Sequence, residues 1–270
     1  MQLKLLQPKQ NEARRAYILE IRTALTPPIS ARQFLYALDC WRSKNFFLKK
    51  GYVSRPRPDY FTDEPEDNIT WQPDVYPFAA NLANRIGAKQ IVDIGCGRAL
   101  KLVKLHEQHP EWKFTGLDYG ANISWCRKNW RFGTWIEANL EYGRTQPTRK
   151  LIVENAIMIC SDVIEHLINP IPLLLLVSKL LRQGAVAVIF STPERDLTRG
   201  KTDTGPPGNP YHVREWNLEE FRALLEWAGF RLMHLGLTRT NDAGPHEKTI
   251  LVVATLARTL ATILDHRKME

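Results

Sequence analysis

Apolar and polar residues follow two alternating patterns between residues 75 and 255 of the 270-residue chain. Short, mostly apolar runs are typical of strands buried on both faces, and the stretches between them have the three- and four-residue apolar spacing of helices. The patterns predict strands over residues 90–95, 113–118, 134–138, 154–161, 185–192, 230–238 and 248–255. They predict helices over residues 75–86, 98–108, 121–131, 170–182 and 218–228. This alternation predicts an α/β fold: a doubly wound, mostly parallel, seven-stranded sheet with helices on both faces (Rossmann-like), with an antiparallel strand in one edge.

The N-terminal part of the chain differs from this pattern and carries the excess charge. The formal net charge is +8, and residues 1–60 hold all of that excess, with 12 Lys or Arg against 4 Asp or Glu. We therefore divide the chain into a basic helical extension or lid, residues 1–70, and a ligand-binding domain, residues 71–270. A basic segment of this kind contacts nucleic acid, an anionic lipid surface, an acidic substrate or a partner subunit, or forms only a solvated face. Helices within the extension are predicted over residues 11–25 and 30–41.

Composition narrows the class of protein. A hydrophobic share of 44% and eight tryptophans are typical of a globular protein. The longest apolar-rich stretch, residues 171–181, is too short to span a bilayer, and no apolar run of signal-peptide length opens the chain. Four scattered cysteines have neither metal-binding nor disulfide spacing. We expect a cytoplasmic protein with reduced thiols, present as a monomer or homodimer.

A glycine-rich turn follows the first core strand. Residues 91–98 have the sequence I-V-D-I-G-C-G-R, so a strand passes through Gly95 and Gly97 directly into a helix. Glycine permits positive φ and a close approach of the backbone to a ligand. Leu100 stands where a dinucleotide-binding fold needs its third glycine, which argues against an NAD-dependent enzyme. Asp93 would repel a pyrophosphate and attract a cation, so the turn fits a positively charged nucleoside; a tight turn without a ligand is the plain alternative.

A second acid follows the second strand at the spacing of a nucleoside site. Asp118 lies 21 residues after Gly97, where a carboxylate accepts hydrogen bonds from ribose hydroxyls, although a lone Asp there is often only a helix cap. Together with D-x-G-x-G, this arrangement resembles the first motifs of class I S-adenosylmethionine-dependent methyltransferases. The resemblance implies S-adenosylmethionine as cofactor, with Tyr119 packed on its adenine and Asn139 and Leu140 contacting the adenine edge. Asn139 departs from the aspartate common in the family. The implied cofactor-binding residues are Asp93, Gly95, Cys96, Gly97, Asp118, Tyr119, Asn139, Leu140, Ser161 and Asp162.

The fourth strand ends in the most specific motif of the chain. Residues 161–167, S-D-V-I-E-H-L, resemble the D-V-x-E-H-x signature of methyltransferases close to the ubiquinone-biosynthesis O-methyltransferases. Over residues 70–255 the chain also resembles bacterial methyltransferases that tailor sugars and natural products. The N/D-P-P-Y tetrapeptide of amino-methylating DNA and RNA enzymes is absent from the sequence. The resemblance therefore implies a small-molecule acceptor rather than nucleic acid.

Three roles stay open for Asp162, Glu165 and His166. D-x-x-E-H offers two carboxylates and an imidazole to a divalent cation, and some relatives bind a metal through an acidic version of this motif. Glu165 and His166 would otherwise begin a helix and hold the wall of the site by hydrogen bonds. His166 is also a candidate general base, and Glu165 joins it among the catalytic candidates. No metal site is assigned from the sequence.

A long connection over residues 191–216 supplies the remaining candidates. Connections of this length are often lids or binding loops, and this one follows the fifth strand at the edge where ligands bind. His212 is the first candidate for general base, because an imidazole with a pKa near 7 suits proton removal from a hydroxyl. His246 is its rival in another loop. Arg195 and Arg214 either hold an anionic or polyhydroxyl acceptor or pair with neighbouring glutamates.

These observations predict an S-adenosylmethionine-dependent methyltransferase that acts on a hydroxyl of a small molecule, with a sugar or glycosylated metabolite as the first choice. The alternatives are N-methylation of a small amine, modification of RNA through the basic N-terminal segment, and a catalytically silent partner of another enzyme.

Overall fold

A computed structural model describes residues 45–59, 63, 70–141 and 151–257 of the chain. The helices predicted over residues 11–25 and 30–41 lie outside these ranges. The strands are β1 Gln90–Ile94, β2 Lys113–Asp118, β3 Gly133–Glu137, β4 Ala156–Ser161, β5 Ala187–Pro193, β6 Phe230–Arg239 and β7 Glu247–Leu256. The helices among the described residues are α1 Val75–Ile86, α2 Leu100–Gln108, α3 Ala121–Asn129, α4 Ile171–Arg182, α5 Arg195–Arg199 and α6 Leu218–Trp227, and Ile164–His166 form a turn of 3-10 helix.

The seven strands form one mixed sheet in the order β3-β2-β1-β4-β5-β7-β6. The first five strands pair in parallel, and β7 pairs antiparallel with both β5 and β6. The sheet is Rossmann-like but not purely parallel, because a C-terminal hairpin completes it. The antiparallel strand β7 lies between β5 and β6, so β6 and not β7 forms the edge.

Apolar side chains of the central strands alternate between two core clusters, one on each face of the sheet. Ile91, Ile157 and Ile189 belong to the cluster that includes residues of α1, α2 and α3. Val92 and Met158, their neighbours in sequence, belong to the cluster that includes residues of α4 and α6. Since successive side chains of a strand point to opposite faces, both faces of the sheet are buried, as the sequence pattern predicted.

The connection after β5 is more ordered than the sequence suggested. It contains the short helix α5, whose cap Glu194 accepts a hydrogen bond from the Leu197 amide at 2.6 Å. Arg195 at the start of this helix is buried and pairs with Asp196 and Glu220, so its guanidinium lies in the protein interior. The local cap and the buried ion pairs explain why a segment rich in polar residues takes a fixed path.

The described part of the N-terminal extension lies along this connection. The amide of Val53 donates to the carbonyl of Thr204 at 2.7 Å, and the amide of Arg55 donates to that of Val213 at 2.7 Å. The Trp216 indole, which is fully buried, donates to the carbonyl of Phe46 at 2.9 Å. Among the described residues, no helix combines the length and apolar character needed to cross a membrane.

Candidate functional site

The glycine turn after β1 and the end of β2 form one corner of the site. Gly95 and Gly97 have φ angles of 81° and 54°, and the Gly95 amide donates to the carbonyl of Leu117 at 2.7 Å. The Asp118 carboxylate accepts from the Gly97 amide at 2.7 Å through one oxygen and from the Tyr119 amide at 2.7 Å through the other. Parallel strands end at the same edge of a sheet, so the two motifs predicted to share a nucleoside do lie side by side.

Side chains approach both glycines closely. A Cβ at Gly95 would overlap the side chain of Val163, and a Cβ at Gly97 would overlap the carboxylate of Asp63. The Asp63 carboxylate accepts a hydrogen bond from the Arg98 amide at 2.8 Å, at the start of the turn into α2. The composition of residues 51–77 predicts an irregular segment that covers the site, but Asp63 was not singled out, because such a segment has no spacing that says which of its acids contacts this turn.

Asp93 is a buried carboxylate with one oxygen unused. It is 1% exposed, and its Oδ2 atom accepts a hydrogen bond from the Tyr76 hydroxyl at 2.8 Å. Its Oδ1 atom is buried and has no hydrogen-bond partner among the described residues. Burial raises the pKa of Asp93 from 3.8 to about 7, although the Tyr76 hydrogen bond and the charge of Lys101 oppose that rise. A buried carboxylate oxygen without a donor fits the cationic ligand that the sequence predicted.

The other residues predicted to contact the cofactor differ in how far their side chains are exposed and in what those side chains contact. The thiol of Cys96 is buried beside Cys126 and donates to the carbonyl of Gly97 at 3.5 Å. Tyr119 is 47% exposed at the end of β2, where its ring is accessible. The Asn139 carboxamide accepts from the Glu141 amide at 3.0 Å, and Leu140 is partly buried against the core.

A buried glutamine links the ends of β4 and β5. Gln72 is 2% exposed, and its amide oxygen accepts hydrogen bonds from the hydroxyls of Ser161, at 2.9 Å, and Ser191. Its amide nitrogen donates to Asp162 Oδ1 at 2.9 Å. Gln72 and Asp162 both have positive φ angles, 50° and 60°. The amide therefore orients the Asp162 carboxylate, a role that no motif around Gln72 indicated.

The candidate catalytic residues converge in one cluster. Asp162, Glu165, His166 and His212 each offer a ligand atom, and these atoms lie within 4.8 Å of one another. The rings of His166 and His212 meet edge to face with centroids 4.8 Å apart. Burial and the neighbouring Asp162 charge raise the pKa of Glu165 well above its usual value, and burial lowers the pKa of His166 to about 4. Glu165 and His166 lie in the 3-10 turn rather than in a regular helix.

Hydrogen bonds fix the orientation of both imidazoles. His212 Nδ1 lies 2.7 Å from a carboxylate oxygen of Glu215, and His212 Nε2 lies 3.0 Å from the amide nitrogen of Asn209. His166 Nδ1 lies 3.0 Å from the carbonyl oxygen of Tyr211. A carboxylate and a carbonyl can only accept, so each Nδ1 carries a proton and each lone pair is on Nε2. The neighbours in the loop that hold the rings, Glu215 above all, were not predicted as partners.

Both candidate arginines of the connection are engaged by groups of the protein itself. Arg214 donates to the carbonyls of Leu167 and Ile168 at 3.1 and 2.9 Å, and its guanidinium lies 4.4 Å from the centroid of the Phe46 ring. Burial lowers the pKa of Arg214 to about 10. With Arg195 paired to Asp196 and Glu220, both side chains hold the connection in place.

A seven-stranded mixed sheet with a glycine turn after β1 and an acid at the end of β2 belongs to the Rossmann-like class of folds. Residues 71–235 match the family model described as a methyltransferase domain, and the chain belongs to that family. The chain therefore contains a methyltransferase domain.

Individual relatives agree with this assignment. The chain is 28% identical over 152 residues to a probable S-adenosylmethionine-dependent methyltransferase of Mycolicibacterium smegmatis; the match covers 56% of this chain and 55% of the relative, so the chain spans about half of that protein's length. The plantazolicin methyltransferase BamL, solved with a triazolic desmethylPZN analog and SAH, superposes with a TM-score of 0.53 at 13% identity, covering 92% of this chain and 99% of BamL. The small RNA methyltransferase HEN1 superposes with a TM-score of 0.54 at 18% identity, covering 76% of this chain and 27% of HEN1. At these identities the two structures share the fold with this chain.

Proposed function

We propose that the enzyme methylates a hydroxyl of a small molecule, with a sugar or a glycosylated metabolite as the leading acceptor class. The observation that carries this proposal is the oriented pair of His212 and Glu215 within the buried cluster that follows β4. The cluster adjoins the glycine turn, because Val163, next to Asp162, packs against Gly95. A group that activates a hydroxyl therefore lies beside the proposed cofactor site.

The residues at the corner suit the parts of S-adenosylmethionine. This cofactor presents an electrophilic methyl group on a sulfonium, together with an ammonium group and a ribose. Asp118 would accept from the ribose hydroxyls, and Asp93 Oδ1 is the buried acceptor that suits a cationic group. Gly95 and Gly97 would allow the close approach of the backbone. The adenine would lie against Tyr119, Asn139 and Leu140, with Ser161 and Asp162 at the methionine end.

Methylation of a hydroxyl needs an acceptor for its proton. The acceptor oxygen gains a bond to the methyl carbon and loses its bond to hydrogen, while the carbon–sulfur bond breaks and leaves its electron pair on sulfur. His212 can take that proton through Nε2, because Glu215 holds the N–H on Nδ1; the Asn209 amide, which lies 3.0 Å from Nε2, would have to move aside for the acceptor. A neutral amine already carries a nucleophilic lone pair and would need no base held in this way, which favours a hydroxyl over an amine.

The proposal is tested by incubating the full chain with labelled S-adenosylmethionine and a panel of nucleotide sugars, glycosides, small amines and RNA. We expect label in a hydroxyl-bearing small molecule. His212→Asn should lower the rate of methyl transfer by about 100-fold or more without changing cofactor affinity. Asp118→Ala should weaken cofactor binding instead, and His234→Ala, an exposed histidine on β6, should change neither.

Other outcomes of the same panel would overturn the proposal. Label found only in amines, at a rate that His212→Asn leaves unchanged, would identify an N-methyltransferase. Label found only in RNA, with binding that weakens steeply as salt rises and is lost on deletion of residues 1–60, would assign the basic N-terminal segment to nucleic acid.

A further inference from the structure

We propose that Asp162, Glu165, His166 and His212 bind one divalent first-row transition-metal cation. Two carboxylates and two imidazoles form a mixed oxygen and nitrogen ligand set. Such a set suits Mn²⁺, Fe²⁺, Co²⁺ or Zn²⁺, whereas Ca²⁺ prefers oxygen ligands alone. Metal binding itself is independent of the proposed function. An ion on His212 Nε2 would occupy the lone pair that the proposed function gives to the base. In the loaded enzyme the ion itself would then lower the pKa of the acceptor hydroxyl, and this role rests on the proposed function.

The distances within the cluster suit a single ion. Two ligand atoms bound at about 2.1 Å to one ion lie at most about 4.2 Å apart. The four candidate atoms already lie within 4.8 Å of one another, so an inward shift of a few tenths of an ångström at each side chain would complete the site. Three ligands come from one short segment and the fourth from the loop after β5, so the folded chain brings the set together.

Glu165 is the observation that points most directly to a ligand. Its side chain is fully buried, and neither carboxylate oxygen has a hydrogen-bond donor in place among the described residues; the adjacent Asp162 carboxylate can accept from Glu165 only if Glu165 keeps a proton. A buried carboxylate normally costs several kcal/mol of solvation unless it is paired, hydrogen-bonded or bound to a metal (roughly 2–7 kcal/mol even for a neutral polar group). A divalent cation would balance the charges of Glu165 and Asp162 together.

The surroundings of the other three ligands have the form of an outer coordination shell. Metal-binding histidines usually donate their second ring N–H to a carboxylate or carbonyl, which directs the lone pair to the metal. His212 does so to Glu215 and His166 does so to Tyr211. The Gln72 amide holds Asp162 in the same manner, through a nitrogen whose orientation the serines of β4 and β5 determine.

One contact competes with this assignment and provides a further test. The Asn209 amide donates to His212 Nε2 at 3.0 Å, which is the atom assigned to the ion. Asn209 lies in the loop and also accepts from the Tyr211 amide at 3.0 Å. Its amide would have to leave Nε2 when the ion binds, so Asn209→Ala should not weaken metal binding.

The experiment measures metal binding by the full chain in the absence of cofactor and acceptor. Protein stripped with a chelator is titrated with Mn²⁺ by calorimetry, and bound metal is counted after dialysis. We expect one ion per chain, with affinity lowered by more than 100-fold in Glu165→Gln and in His212→Ala. Gln72→Leu, which removes only the outer-shell amide, should weaken binding by about 10–100-fold. His234→Ala is the matched control and should bind as the unaltered chain does.

A spectrum of the unaltered chain keeps the test decisive if a variant fails to fold. Co²⁺ bound to this set should give visible ligand-field bands without the charge-transfer absorption of a thiolate ligand, since no cysteine belongs to the set. Absence of stoichiometric binding of Mn²⁺, Co²⁺ and Zn²⁺, or binding that the Glu165 and His212 variants leave intact, would overturn the proposal. Because no methyl transfer is measured, a chain that binds the ion but methylates no hydroxyl would contradict only the proposed function.

Discussion

Replacing Asp93 with asparagine should make the protein more stable at pH 8 while weakening its affinity for the cofactor. The native carboxyl is buried, and its pKa is raised from 3.8 to about 7. The native state therefore prefers the protonated form, so the stability that this group contributes is fully present below about pH 4. It is lost as the pH rises through 7, where the buried carboxyl ionises. An asparagine keeps an oxygen for the Tyr76 hydroxyl and never ionises.

The displaced pKa sets the size of the effect. A difference of one pKa unit corresponds to about 1.4 kcal/mol, so a pKa that moves from 3.8 to about 7 corresponds to about 4 kcal/mol at most. At pH 8 the free energy of unfolding of Asp93→Asn should exceed that of the unaltered chain by up to this amount. The difference should shrink steadily towards pH 4.

Urea denaturation of the cofactor-free chain, followed by circular dichroism between pH 5 and pH 8, measures this difference. Tyr76→Phe removes the hydrogen bond that lowers the Asp93 pKa, so it should move the loss of stability to higher pH. Glu107→Gln makes the same charge change at an exposed position of α2 and should leave the pH profile unaltered. If the difference in unfolding free energy between Asp93→Asn and the unaltered chain stays constant across this pH range, the buried ionisation we infer does not occur.

Two further predictions concern the backbone. Gly95→Ala and Gly200→Ala both place an alanine at positive φ, but only the alanine at Gly95 would overlap a side chain, that of Val163. Gly200→Ala should therefore lower the free energy of unfolding by about 1–2 kcal/mol, and Gly95→Ala should lower it clearly more. Equal losses in chemical denaturation would contradict this. Asn217→Ala removes the capping box of α6 and should cost about 1 kcal/mol in the same assay, a prediction that an unchanged midpoint would refute.

The sequence predicted the architecture well where local pattern and strand order determine it. The strands and helices of the core lie within two or three residues of their predicted bounds, because apolar periodicity reports burial directly. The proximity of Gly97 and Asp118 could be predicted too, since parallel strands end at a common edge. The position of β7 between β5 and β6 could not be predicted, because the hairpin pattern does not say which of its two strands pairs with β5.

The partners of the site residues were beyond sequence reasoning for a physical reason. Tyr76 lies on a predicted helix, but its contact with Asp93 depends on how that helix packs against the sheet. His166 and His212 were each singled out as candidates, yet their edge-to-face contact results from the path of the loop after β5. Hydrogen-bond direction at Gln72 likewise follows from three-dimensional surroundings that no spacing encodes.

The hydrogen bonds of the Gln72 amide also limit which residues can replace Gln72. Its oxygen end is satisfied by two hydroxyls and its nitrogen end by a carboxylate, so the side chain is used as a directional dipole. A glutamate of nearly the same shape would keep the two serine contacts but set a second negative charge against Asp162. A change that is nearly isosteric would thus turn an attraction into a repulsion, and size alone is a poor guide to which substitutions this position tolerates.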